Sequence, residues 1–129
     1  MSATAYVVED HAIVREMVTA HVNGVPGVRV CGSAASAEAA LGEIETLRPD
    51  VVLIDLSLPG MSGLELVRRI RERIEGVACL VVSGHAEPMY RTQARAAGCH
   101  GFVLKDEPDE LAAAVRAVLA GAAYEPPSG

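Results

Sequence analysis

The run Val51-Val52-Leu53-Ile54 is apolar at every position and stops abruptly at Asp55. A strand with one solvated face would alternate apolar and polar residues. A continuous apolar run is what a parallel strand needs when helices cover both its faces. The segment therefore demands helices on two sides, and the flanking sequence predicts them.

Residues 4–8 form a short apolar strand. Val14, Met17, Val18, His21 and Val22 follow at helical spacing, until Asn23-Gly24 breaks the pattern. Residues 28–31 read as a second strand. Ser36 is placed to cap a helix with Ala40, Leu41, Ile44 and Leu47 on its inner face, ending before Pro49. Beyond Asp55 and the Pro59-Gly60 loop, Ser62 and Glu65 have capping-box spacing, and Leu64, Val67, Ile70 and Ile74 define an apolar stripe. The arginines at 68, 69, 71 and 73 lie mostly on the opposite, solvated face.

Residues 77–82 predict a fourth strand, 87–97 an Ala-rich helix without large anchors, and 101–104 a fifth strand. Pro108 then opens a last helix with Leu111, Val115, Val118 and Leu119 inward and Gly121 as its stop. Five strands alternating with five helices through short connections predict a doubly wound α/β sandwich, (βα)5, around a parallel sheet of order 2-1-3-4-5. At 129 residues the chain suits one such domain, expected over 1–121, with 122–129 as a tail or the start of a linker that runs into Pro126-Pro127.

Composition narrows the function. With 11 basic and 17 acidic residues, the net charge of −6 repels a phosphate backbone, and no basic stripe offsets it, so the chain itself is not expected to grip nucleic acid. Cys31, Cys79 and Cys99 are odd in number, far apart and set among apolar neighbours, which predicts buried thiols in a reducing, cytoplasmic setting rather than a disulfide framework. No apolar run approaches the roughly 20 residues needed to span a bilayer, and no membrane partner is expected. The four histidines lack ligand spacing, so no zinc site is expected.

In a doubly wound sheet, ligands gather beyond the carboxyl ends of the strands. The residues there are Glu9 and Asp10 after strand 1, Asp55 after strand 3, Ser83 after strand 4 and Lys105 after strand 5. Three carboxylates in one crevice repel one another unless a cation joins them, and an oxygen-only donor set favours Mg²⁺. A carboxylate nucleophile, a metal, an ammonium and a hydroxyl suffice for phosphoryl transfer, which asks chiefly for positioning and charge neutralisation. Asp55 is thus the expected phosphoacceptor, Asp10 and Glu9 the metal ligands, and Lys105 and Ser83 the partners of phosphoryl oxygens.

Glu9-Asp10, Asp55-Leu-Ser-Leu-Pro-Gly-Met-Ser-Gly, Val-Val-Ser83-Gly-His and Gly-Phe-Val-Leu-Lys105, in this order, resemble the signature of response-regulator receiver domains. The resemblance covers essentially the whole chain and implies their CheY-like, flavodoxin-like fold. It implies that Glu9, Asp10, Asp55 and the backbone carbonyl of Ser57 form the Mg²⁺ site, that Ser83 and Lys105 bind the phosphoryl group, and that a sensor histidine kinase donates it. Phe102 matches the aromatic that changes rotamer with Ser83 in such switches, with helix 4, strand 5 and helix 5 as the output surface. A homodimer formed on phosphorylation is compatible with this role.

The run from His11 and the pair Lys105-Asp106 resemble the NarL/FixJ (LuxR-type) branch, whose receivers usually precede a helix-turn-helix domain; DNA would be reached only through such a domain, absent from this chain. The family often has proline in a cis bond after the lysine. Asp106 stands there instead, where a cis bond is costly, so trans is expected.

Two other functional classes use the same residues. A phosphatase with an aspartyl-phosphate intermediate would need a second acid two residues after the nucleophile, where Ser57 stands, and a cap domain; turnover of an exogenous phosphomonoester would favour it. A phosphorylation-independent interaction module would bind partners with its acceptor unmodified. The intact set of acceptor, acids, hydroxyl and lysine favours a regulatory phosphoacceptor that catalyses only its own loading and unloading, whether free-standing or the front half of a transcription factor.

Overall fold

The computed structural model describes residues 2–125. Its elements are β1 (Ala3–Val8), α1 (Ala12–Asn23), β2 (Val28–Ala34), α2 (Ala37–Leu47), β3 (Val51–Asp55), α3 (Gly63–Arg73), β4 (Ala78–Ser83), α4 (Pro88–Ala97), β5 (Gly101–Leu104) and α5 (Pro108–Leu119). All strand pairs are parallel and the sheet order is β2-β1-β3-β4-β5, as the sequence predicts. Every residue of β3 is buried, which is what its uninterrupted apolar run requires.

Two cores lie on the two faces of the sheet. One gathers Tyr6, Val52, Ile54, Val81 and Phe102 under residues of α2, α3 and α4, and the other gathers Val7, Leu53, Leu80 and Val103 under residues of α1 and α5. The alternation of strand residues between these lists is the two-residue period of a strand seen from both sides. At β2 the register slips between Ala5 and Tyr6, so that Tyr6 pairs with Gly32. A Cβ at Gly32 would lie 2.9 Å from the Tyr6 ring, so the glycine makes room for it. The Tyr6 hydroxyl donates to Glu43, and burial with this neighbour raises its pKa.

Caps act as their residue types suggest. Ser36 Oγ accepts from the Ala39 N–H at 3.2 Å and Ser62 Oγ from the Glu65 N–H at 3.1 Å. Only half of the expected capping box forms, because the Glu65 carboxylate turns to Arg69 and Arg68 instead. Helical faces deviate at their margins. Met17 and His21 of α1 are exposed, as is Leu47 of α2, and in α3 Leu66 is fully buried while Leu64 is only half-buried. No peptide bond among the described residues is cis, so Lys105-Asp106 is trans.

Past α5, Gly121 takes a left-handed conformation (φ 84°), and Tyr124 pairs with Gly101 of β5. Of the segment read as a tail, 122–125 thus run along the sheet edge, whereas Pro126-Pro127 lie outside the described residues.

Candidate functional site

Strand register builds the site. Val8 pairs with Ile54, so Glu9 and Asp55, the next residues of β1 and β3, come to neighbouring positions at the top of the sheet. Ser83 pairs with Leu104, and the Lys105 N–H continues the ladder by donating to the Ser83 carbonyl at 2.9 Å. Glu9 and Asp55 therefore converge because the sheet order puts β1 and β3 side by side, and Lys105 reaches both across the end of β4.

Glu9 and Asp55 are only 3% and 4% exposed. Lys105 Nζ lies 2.7 Å from Glu9 Oε1 and 3.1 Å from Asp55 Oδ2, joining both buried carboxylates. The His11 N–H donates to Glu9 Oε2 at 3.0 Å and the Ser57 N–H to Asp55 Oδ1 at 3.1 Å. Burial of Lys105 works against its charge, but the hydrogen bonds to Glu9 and Asp55 outweigh it and hold the ammonium above the ordinary lysine pKa.

Glu9, Asp10 and the acceptor candidate Asp55 bring carboxylate oxygens within 4.8 Å of one another, with Asp10 exposed at the mouth. Three carboxylates against one ammonium leave two formal negative charges, the complement of a divalent cation. All donors are hard oxygens, so the set fits Mg²⁺ and not a thiolate-seeking metal. Ser57, whose carbonyl the family resemblance adds to this set, is two residues after Asp55 and exposed.

Ser83 is fully buried, and its hydroxyl is engaged away from the carboxylates: Oγ accepts from the His85 N–H at 2.9 Å and donates to the His85 carbonyl at 3.2 Å. The His85 ring stacks on Tyr90 of α4, with centroids 4.8 Å apart. Phe102, 2% exposed, points into the core shared with α2, α3 and α4. The structure thus brings Glu9, Asp10, Asp55 and Lys105 together directly, whereas Ser83 and Phe102 stand beside this cluster on the adjoining strands.

Two contributors escaped the sequence reading. Arg15 of α1 donates from Nη1 to the Glu9 carbonyl at 2.8 Å, fixing the turn that carries the acidic pair. Glu38 of α2 accepts from the Met61 N–H at 3.3 Å and so anchors the loop after Asp55. Both contacts run to backbone atoms, which leave no residue pattern to detect. Gly63, by its place in the first helical turn expected to be a backbone necessity, supports the same loop. A Cβ there would fall 2.1 Å from the Asp55 carbonyl oxygen, so only glycine lets α3 begin against the end of β3.

Comparison with known proteins places this geometry. The model of the response regulator receiver domain matches residues 5–116. The nitrate/nitrite response regulator protein NarL of Escherichia coli is 35% identical over 122 residues, which span 92% of this chain and 56% of that protein. The DNA-binding transcriptional activator DevR/DosR of Mycobacterium tuberculosis is 34% identical across 90% of this chain and 54% of its own length. The chain thus spans about half the length of these curated relatives. The crystal structure of a LuxR-family two-component response regulator from Aurantimonas superposes with a TM-score of 0.92 at 35% identity, covering 96% of this chain and 89% of that one. With its fold, its carboxylate crevice and these similarities in agreement, the chain belongs to the response regulator receiver domain family, in the company of its NarL/LuxR-type members.

Proposed function

We propose that this receiver is loaded with a phosphoryl group on Asp55 and works as a regulatory phosphoacceptor in two-component signalling. The observation that carries this reading is the contact of Lys105 with both Glu9 and Asp55, which sets a buried carboxylate beside an ammonium and at the edge of an oxygen-lined cation site. A carboxylate oxygen of Asp55 attacks phosphorus in line. A new O–P bond forms, and the donor's bond to phosphorus breaks with its electron pair leaving on the donor. Lys105 holds a phosphoryl oxygen as negative charge arrives.

Glu9, Asp10, Asp55 and the Ser57 carbonyl would hold Mg²⁺, which when bound supplies charge neutralisation for both loading and hydrolysis. The Ser83 hydroxyl exchanges its His85 contacts for a phosphoryl oxygen, and Phe102, on the neighbouring strand, responds to the space this vacates. The donor is a sensor histidine kinase. The output is transcriptional control, as the name of the DNA-binding transcriptional activator DevR/DosR suggests, through a DNA-binding domain, with dimer formation as an accompanying step, in the cytoplasm. The test is intact-mass measurement of the protein and of Asp55→Asn after incubation with Mg²⁺ and a small acyl-phosphate donor. One added phosphoryl mass in the former alone, abolished by chelation, is expected; equal gain in both removes Asp55 as acceptor.

A further inference from the structure

β5 closes one side of the sheet, so its outer edge presents backbone groups with no strand beside them. The chain's own C-terminal segment fills that edge. The Phe102 N–H donates to the Tyr124 carbonyl at 3.0 Å, and the Tyr124 N–H donates to the His100 carbonyl at 3.2 Å. The approach depends on Gly101, where a Cβ would meet Tyr124 Cβ at 3.3 Å, Val118 at 3.1 Å and Leu80 at 3.0 Å. Gly121, left-handed at the end of α5, turns the chain back toward this edge. Glu125 then pairs with Arg95 of α4. Tyr124, half-buried, packs against the core of α5 and β5 and shares with Arg95, Phe102 and Val118 a cavity of about 330 Å³.

We propose that the outer edge of β5 is a docking site for residues 122–125 and that loading of Asp55 releases this strap. The proposal rests on the phosphoacceptor reading and adds the element that carries its signal out of the domain. The strap holds the backbone of Phe102 itself, the residue expected to move. Beyond the Ala122 N–H bond to the Ala117 carbonyl at the end of α5, its attachments are two backbone hydrogen bonds, one half-buried ring and one ion pair, which places it among the elements of lowest local stability. The coupling is reciprocal: with loading weakening the strap's hold on the β5 backbone, displacing the strap favours the loaded state by the same factor. The released segment is the one through which the chain continues beyond α5, so its docking or release alters where any following residues are held.

Amide hydrogen exchange on the 129-residue chain tests this, with phosphoryl occupancy followed by intact mass. In the resting protein, Tyr124→Ala should speed exchange at the Phe102 amide at least about tenfold and Glu125→Ala about twofold, both leaving the Val81 amide unchanged. Loading with Mg²⁺ and acyl phosphate should bring the unsubstituted protein to the same fast exchange, and Tyr124→Ala should load about threefold faster. If neither substitution alters Phe102 exchange at rest, the docking site is wrong. Full loading by mass with Phe102 exchange unchanged would overturn the release while leaving Asp55 as acceptor. Absence of any mass gain would remove the acceptor reading, and the release with it.

Discussion

The ammonium of Lys105 lies 3.1 Å from Asp55 Oδ2, across 50 residues of sequence and between the ends of strands that are not adjacent in the sheet. The same ammonium contacts Glu9, so one cation stabilises two carboxylates that are almost wholly removed from water. Lys105→Ala leaves both without a counter-charge. Loss of one partner from an enclosed pair costs roughly 3–5 kcal/mol; the Lys105 side chain keeps 26% exposure, so a loss of about 2 kcal/mol is expected. Urea unfolding measures it, and millimolar Mg²⁺ should restore more stability to the variant than to the parent. Equal effects of Mg²⁺ on both would contradict a shared site.

Gly63→Ala should be among the most damaging small substitutions in the chain. The added methyl meets the backbone of Asp55, which has no flexible end to swing aside, so α3 or the end of β3 must shift. Overpacking of this kind costs about 1–3 kcal/mol, and here it also displaces the acceptor. Thermal unfolding together with the loading rate reads both consequences. A variant of unchanged stability would show that α3 is not held against the end of β3.

The thiols should differ sharply in reactivity. Burial pushes Cys79 up to about 12, and burial also raises Cys99, though Cys99 is only partly enclosed. At pH 8 Cys79 stays a thiol, so a thiolate-specific alkylating agent should leave it unmodified in the native state and modify it only on unfolding. Peptide mapping after timed alkylation distinguishes the sites.

His100 gives a pH dependence of definite sign. Burial and the adjacent Arg71 lower its pKa from the ordinary 6.5, and the Cys79 N–H donates to its Nδ1 at 2.9 Å. Below pH 6.5 the unfolded chain therefore binds a proton at this residue before the folded one does. Stability falls as the pH drops from about 6.5 through the lowered folded value, and this contribution is absent at neutral pH. Urea midpoints at pH 7.5 and 5.5 should show a smaller decline for His100→Gln than for the parent. The same decline in both would place the titrating group elsewhere.

Much of this arrangement was legible in the residues themselves. The apolar run of β3 implied helices on both faces, and the polar residues at four strand ends implied the crevice, because a parallel sheet of this order leaves few other places for them. Helix faces were legible at their centres and not at their margins: Ile44, Ile70 and Val115 are buried as their spacing predicts, while Met17, His21 and Leu47 stay exposed. The support of Glu9 by Arg15 and of the Met61 loop by Glu38 was not legible, since a side chain that binds a backbone atom selects no complementary residue. Nor was the docking of Tyr124, because its partner is the backbone of β5 and the gap left by Gly101.

The central claim is that Asp55 itself takes the phosphoryl group, and chemical trapping of the acyl phosphate tests it most directly. Borohydride reduction of the loaded protein converts a phosphorylated aspartate to homoserine, which peptide sequencing by mass locates. The account predicts homoserine at position 55 and nowhere else, only when donor and Mg²⁺ are both present. Homoserine at position 10, or a loaded protein that is not reduced at position 55, would contradict it.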